Sequence, residues 1–224
     1  MAKPRCLGAG VVVVSNAIAS LDEQRALLED SLRTMPPVRA GGVHLGSKPP
    51  PPAAMSFEVD TAPSSAVRPA CLRVATDLLH SLGTHSRLGS LFAADSRERS
   101  SSLHLLPIVQ SDLVFQNVWA RLYSGSNALG WHRDPYHGLK GWVCIINLGA
   151  GATFAWRHGG QGAMVHRAQL SSGDALIFNG EILEHAIEEI HDESTCPPYW
   201  RDVMDQAALG GGANFLRVGL QMRA

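Results

Sequence analysis

Several things are scarce in this chain of 224 residues. Charged side chains make up 17% and aromatic ones 6%, and basic residues have no surplus: 19 Lys and Arg stand against 20 Asp and Glu. A protein that grips duplex DNA across a broad phosphate-binding face carries a visible basic excess, so any nucleic-acid contact here is local. Cysteine is sparse and scattered (Cys6, Cys71, Cys144, Cys196). That spacing excludes a Cys-x-x-Cys zinc site and a disulfide scaffold, and it fits a reducing compartment, cytoplasmic or nuclear. No apolar run approaches the roughly 18 residues of a membrane-spanning helix. The hydrophobic fraction, 45%, is ordinary. Together with the length it excludes a disordered tail, a coiled coil and a collagen-like chain, and it allows a sizeable core.

The N-terminus can be read in two ways. Lys3 and Arg5, the apolar run from Cys6 to Val14 and Ala17-Ile18-Ala19 imitate a secretory leader with its cleavage site. The competing reading is a strand over 10–15 followed by a helix. Ser20-Leu21-Asp22-Glu23 forms a capping box directly after the supposed cleavage site, and Leu21, Leu27, Leu28 and Leu32 continue as an apolar stripe to Arg33. The second reading is preferred, and it makes this segment part of the fold.

Pro36-Pro37, Gly41-Gly42 and the proline run 49–52 make 36–54 a loop or flap, because neither helix nor sheet ladder tolerates that proline density. Leu72, Ala75, Leu78, Leu79 and Leu82 predict a helix over 70–82. The polar stretch 86–102 reads as a loop. From residue 112 the texture changes to short strand-like runs broken by glycine: 113–123, 141–148, 152–157, 163–170, 175–179, 183–190 and 214–222. Seven short strands at this spacing predict a sandwich or jelly roll with helices donated by the first hundred residues. In the first run Trp119, Arg121 and Tyr123 share one face.

His132-Arg133-Asp134 follows that run and a turn. In an extended segment the two outer side chains point the same way and could grip one ion. Alone this means little, since about one His-x-acid pattern is expected by chance in such a composition. His191-Asp192-Glu193 is indeed a second match, read as a solvated loop cluster. What changes the weight is His185, 51 residues after Asp134, and Arg217 with Arg223, six apart and on one face of the last strand. Two histidines and a carboxylate form a facial triad with open coordination positions, which suits non-haem Fe(II) and oxygen chemistry. An arginine on a neighbouring strand can hold a carboxylate bidentately.

In Arg121-Leu122-Tyr123, His132-Arg133-Asp134, Ser172-Gly173-Asp174-Ala175-Leu176-Ile177-Phe178, His185 and Arg217 with Arg223, the chain resembles the AlkB-like 2-oxoglutarate/Fe(II) dioxygenases. The resemblance runs from about 115 to 223, and more weakly over 10–33. It implies a mainly β fold of the α+β class, a double-stranded β-helix (jelly roll) with flanking N-terminal helices. It also implies one domain over 1–224, in which 1–111 supply the first strand, the helices and a substrate lid and 112–224 the catalytic core. His132, Asp134 and His185 would ligate Fe(II). Arg217 and Tyr123 would hold the distal carboxylate of 2-oxoglutarate, and Arg223 would lie near its chelating end and Asp134. O2 is the second cosubstrate. The sequence departs from the family at Arg121, where an Asn is frequent and which is the next candidate to bind the cosubstrate, at Gly219, where an Asn or Ser is common, and at Tyr136, where some nucleic-acid demethylases carry an acid.

The resemblance implies oxidative demethylation of N-alkylated bases in DNA or RNA, as in DNA repair, on a single-stranded or flipped substrate. Tyr136 could stack on a base, and Arg133 and His137, with Arg87, Arg97, Arg99 and Lys140, are local basic candidates. Two alternatives stay open: an oxygenase of the same fold acting on a protein or small molecule, and a non-catalytic module with a metal-stabilised core. No membrane partner is expected, and a monomer is.

Overall fold

The computed structural model describes residues 4–6, 11–33, 55–58, 67–84, 115, 118–124, 128–134, 141–207 and 215–224. The calls on 36–54, on 86–102 and on Tyr136, His137, Arg87, Arg97, Arg99 and Lys140 lie outside them.

Among the described residues the strands are β1 (Pro4–Cys6), β2 (Val11–Val14), β3 (Met55–Glu58), β4 (Val118–Ser124), β5 (Leu129–His132) and β6 (Trp142–Gly149). They continue as β7 (Ala152–Arg157), β8 (His166–Leu170), β9 (Ala175–Asn179), β10 (Glu184–Ile190) and β11 (Phe215–Arg223). The helices are α1 (Leu21–Arg33), α2 (Val67–Thr84) and α3 (Trp200–Gln206). Two antiparallel sheets face each other, one ordered β1-β2-β9-β6-β11-β4-β3 and the other β5-β10-β7-β8. The fold is the mainly β jelly roll expected from the strand spacing.

The two-residue period of the strands splits the large sheet into two faces with different duties. On β11, Val218, Leu220 and Met222 join Leu27 and Leu28 of α1 and Val74, Ala75 and Leu78 of α2 in the larger apolar core. Arg217, Gly219 and Gln221 alternate with them and face the second sheet. There a smaller core gathers Val11, Val13, Tyr123, Val143, Phe178, Phe154, Trp156 and Ile187. The helices thus cover one face of the large sheet, and the interior between the sheets is left to polar groups at its open end.

The N-terminal segment belongs to this sheet. β2 is inserted in register beside β9, with Val11 opposite Phe178 and Val14 opposite Ala175, and all four valines are buried. Ser20 caps α1 by accepting from the Glu23 backbone N–H at 3.3 Å. The Glu23 carboxylate does not return the bond but pairs with Arg73 of α2, which ties the two helices together. Buried Gln24 donates to the Ile18 carbonyl (2.7 Å) and accepts from the Ser172 hydroxyl (2.7 Å) and the Tyr199 hydroxyl (3.1 Å). One amide therefore fastens α1, the β8–β9 turn and the segment before α3.

Several elements differ from the sequence reading. Four short strands join the seven expected from 112 onward: β1, β2, β3 and β5, of which only β2 had been read. Three- or four-residue strands carry too little period to be seen alone, and the partner strand supplies their order. The run read as 163–170 is extended only from His166, because Gly162 turns at φ 96° and the residues after it complete the hairpin. The run read as 113–123 begins at Val118, and Phe115 lies outside the strand. Leu21, counted in the apolar stripe, is 50% exposed. Seven-residue α3 follows Pro197-Pro198 and was not expected.

Replacing Gln24 with Leu leaves the Ser172 and Tyr199 hydroxyls and the Ile18 carbonyl without this partner, and each unsatisfied group costs about 1–3 kcal/mol. A fall of several degrees in melting temperature is expected by circular dichroism. Deleting 1–35 removes β2 from the sheet, and no soluble folded protein should be recovered.

Candidate metal and cosubstrate site

The pairing of β5 with β10 sets His132 directly opposite His185. The next strand continues the row, with Trp156 of β7 opposite His185. β5 ends at His132, and two residues on the Asp134 backbone N–H donates to the Gly180 carbonyl (2.9 Å), which moors the segment beyond the sheet edge. Arg157 braces the same corner. It makes two parallel bonds to Glu184 (2.8 and 2.9 Å) and lays its guanidinium over the Trp131 ring at 4.3 Å. His132, Asp134 and His185 are thereby brought together, with one ligand atom from each lying within 4.8 Å of the others. Asp134 and His185 are buried and His132 is half-buried.

The tautomers follow from the bonding. Nδ1 of His132 lies 2.8 Å from the Gly130 carbonyl and Nδ1 of His185 lies 3.1 Å from the Leu183 carbonyl. A carbonyl only accepts, so each Nδ1 carries the hydrogen and each Nε2 keeps a free lone pair. Those Nε2 atoms stand 4.0 and 3.8 Å from the two oxygens of Asp134. Burial, and then the neighbouring His132, pull the His185 pKa down to about 4, against the Leu183 carbonyl and Asp134, which raise it. The ring is neutral at neutral pH, as a ligand must be.

Asp134 is held on one side only. Arg223 Nη2 donates to its Oδ1 at 2.6 Å, whereas the buried Oδ2 has no hydrogen-bond partner. A buried carboxylate with one bare oxygen, beside two bare imidazole lone pairs, fits a divalent cation: the donor set is one hard oxygen and two imidazole nitrogens, with no second acid among the described residues to close the sphere. Gly180 is required beside it, because a Cβ there would run into Oδ2.

Arg217 lies deeper, opposite Tyr123 and Gly149 and 1% exposed. Its Nε donates to the Asn147 side-chain carbonyl, and its guanidinium lies 4.5 Å from the centre of the Tyr123 ring. Nη1 is buried without a partner, and no acidic side chain among the described residues pairs with this cation. Burial pulls its pKa down, Tyr123 pushes it back up and Arg121 lowers it further. A buried guanidinium with an orphaned nitrogen fits a carboxylate ligand.

The remaining candidates separate. Arg121 shares the interior face with Tyr123, and its Nε is buried and unpartnered. Arg133 is exposed, as expected for the residue between two that point inward. His191 is not the solvated cluster read from the sequence. It is half-buried, with Nε2 3.2 Å from the Thr153 hydroxyl and its ring against Gly151, and it does not join the triad. Three residues escaped the sequence reading. Asn147 had a signal, being the single strongly polar residue inside the apolar strand β6. Gly180 had none, because its role depends on where Asp134 lands. Trp119 was seen to share a face with Arg121, but not to stay 38% exposed at the open end, opposite Gln221.

The fold has known relatives. The structure of OsALKBH1 overlays at a TM-score of 0.58 and 18% identity, covering 98% of this chain and 99% of that one. A Pseudomonas putida prolyl-4-hydroxylase overlays at 0.51 and 12%, covering 96% and 91%. A prolyl hydroxylase from Trichoplax adhaerens, in complex with a hypoxia inducible factor oxygen degradation domain peptide fragment, overlays at 0.53 and 9%, covering 96% and 83%. No curated protein matches the sequence. The 2OG-Fe(II) oxygenase superfamily does, over residues 14–208, which include all three converging side chains and end before Arg217. With that match over most of its length, the chain belongs to the 2OG-Fe(II) oxygenase superfamily and is a dioxygenase that uses Fe(II), 2-oxoglutarate and O2.

Proposed function

We propose that this chain is an AlkB-like dioxygenase that oxidatively demethylates N-alkylated bases in single-stranded or flipped nucleic acid. His132, Asp134 and His185 hold the iron. The observation that carries the assignment is the Asp134 carboxylate, with its Oδ2 bare, set beside two imidazoles whose tautomers are locked with Nε2 free. Arg223 holds the other carboxylate oxygen, which keeps Asp134 from swinging away. Arg217, positioned by Asn147 and floored by Tyr123, takes the distal carboxylate of 2-oxoglutarate. The residues form one domain over 1–224, with 1–111 supplying the first strand, the helices and a lid, and 112–224 the catalytic core.

Bound iron and 2-oxoglutarate supply oxidative decarboxylation coupled to insertion of one oxygen atom into a substrate C–H bond. The protein orients the two and keeps water out through the apolar floor of Phe154, Phe178 and Trp156. An N-methyl group so hydroxylated loses formaldehyde and leaves the free base nitrogen. Trp119 supports the nucleic-acid reading. It is a large exposed ring on the interior face, opposite Gln221 and two positions along β11 from Arg223. Base stacking on such a ring is worth about 1–3 kcal/mol. The nearly full-length overlay with an AlkB homologue also supports it.

His132→Ala and Asp134→Ala should each abolish stoichiometric Mn(II) binding, followed by calorimetry, and iron-dependent succinate formation. Formaldehyde release from methylated single-stranded oligonucleotides is the substrate test, and turnover of peptides instead would move the reading to protein hydroxylation. Lys cannot reproduce the planar fork of an arginine. Arg217→Lys should therefore raise the KM for 2-oxoglutarate at least about tenfold, the loss of one charge-assisted bond, with Mn(II) affinity little changed. Asn147→Leu should do the same to a smaller degree and also lower the melting temperature.

A further inference from the structure

Arg121 and Arg217 sit on neighbouring strands and converge on one place. Arg121 is paired in register with Gly219 across β4 and β11. Arg217, two residues before Gly219, folds its side chain back over the same glycine. A Cβ built there would lie 3.5 Å from both terminal guanidinium nitrogens. Each arginine keeps a buried nitrogen without a hydrogen-bond partner, Nε of Arg121 and Nη1 of Arg217. Arg121 also opposes the charged form of Arg217. Among the described residues no carboxylate answers either charge, and Asp134 is engaged by Arg223. Arg217 is buried and Arg121 half-buried on the adjacent strand, and two like charges so placed repel in the absence of a counter-charge. One carboxylate on Arg217 would neutralise only one of them.

We infer that Arg121 is a second cationic anchor, so that Arg121 and Arg217 together form a dicarboxylate site able to bind its ligand without metal and to select dianions over monocarboxylates. This rests on the proposed function and goes beyond it, because there Arg217 alone anchors the cosubstrate. Gly219 marks the meeting point: a Cβ there would touch the Arg217 guanidinium at van der Waals distance, and Arg121 is its partner across the strands. Succinate, left when the first carboxylate of 2-oxoglutarate departs as carbon dioxide, keeps the distal carboxylate and carries a new one at the former keto carbon, so it is again a dianion. The site should therefore retain it and be strongly product-inhibited.

The test is calorimetry on the full chain stripped of metal, titrated with 2-oxoglutarate, succinate and, as the monocarboxylate control, butyrate. The wild type should bind succinate more tightly than butyrate, with an affinity that falls as salt rises. Arg121→Gln should weaken succinate about tenfold or more and butyrate less, collapsing the preference. Arg121→Lys should restore most of it, because charge rather than fork geometry is at stake. Mn(II) affinity should be unchanged in both variants. An unchanged succinate-to-butyrate ratio in Arg121→Gln overturns the inference, as does a loss that Lys does not rescue and that follows the melting temperature. If metal-loaded wild type binds 2-oxoglutarate but the metal-free protein binds no dicarboxylate, the inference falls and the proposed function stands. If the loaded protein also ignores 2-oxoglutarate, the assignment of the cosubstrate site falls with it.

Discussion

Charge buried between the two sheets is the constraint on which the rest of the structure depends. Asp134 and Arg217 are 7% and 1% exposed, and each keeps a polar atom with no partner. An interior of this kind cannot hold itself together, because an unpaired buried charge costs several kcal/mol after relaxation. The fold answers by placing its larger apolar core elsewhere, on the other face of the large sheet, where α1 and α2 pack on β11, β6 and β4. The alternation Arg217, Val218, Gly219, Leu220, Gln221, Met222 makes the division visible within one strand: every second residue stabilises the fold and those between serve the site.

The same constraint explains the rigidity around the triad. His132 and His185 are each held by a backbone carbonyl two residues upstream, Gly130 and Leu183, so ring orientation and tautomer are fixed by the strands themselves. Asp134 is fixed at its backbone by Gly180 and at one carboxylate oxygen by Arg223, which arrives from the far end of the chain. Arg157 clamps Glu184 and Trp131, the neighbours of His185 and His132, outside the site. The two imidazoles are thus set by backbone carbonyls, and the carboxylate by a backbone bond together with one arginine.

Much of this was legible in the sequence because it is written in short-range rules. Short strand-like runs set off by glycine and turn residues marked β6, β7, β9 and β10 nearly to the residue. The Ser20 capping signal separated a helix from a secretory leader, and the spacing of His132, Asp134 and His185 was itself the chemical signal. Long-range geometry was not legible. Glu23 could be named as the reciprocal half of a capping box, yet its carboxylate is taken by Arg73, 50 residues away. β5 has four residues and a glycine and owes its order to β10. Nothing near Gly180 announces that Asp134 will pack against it.

Arg121 and Gly219 show why sequence departures are best judged in pairs. Taken singly, a second arginine in the interior is a liability and a glycine in a central strand is a weakness, since glycine contributes no side chain to pack. The register places them opposite each other, with the Arg217 guanidinium over the glycine. The Arg217 side chain lies across the glycine, beside the strand that carries the extra cation. The cost of crowding two positive charges is tolerable only if a dianion regularly occupies the site, so the electrostatics of the protein and the identity of its cosubstrate are parts of one balance. With no acidic side chain among the described residues paired to buried Arg217, bound 2-oxoglutarate also becomes a structural element of the interior, and the folded protein should be most stable when the site is filled.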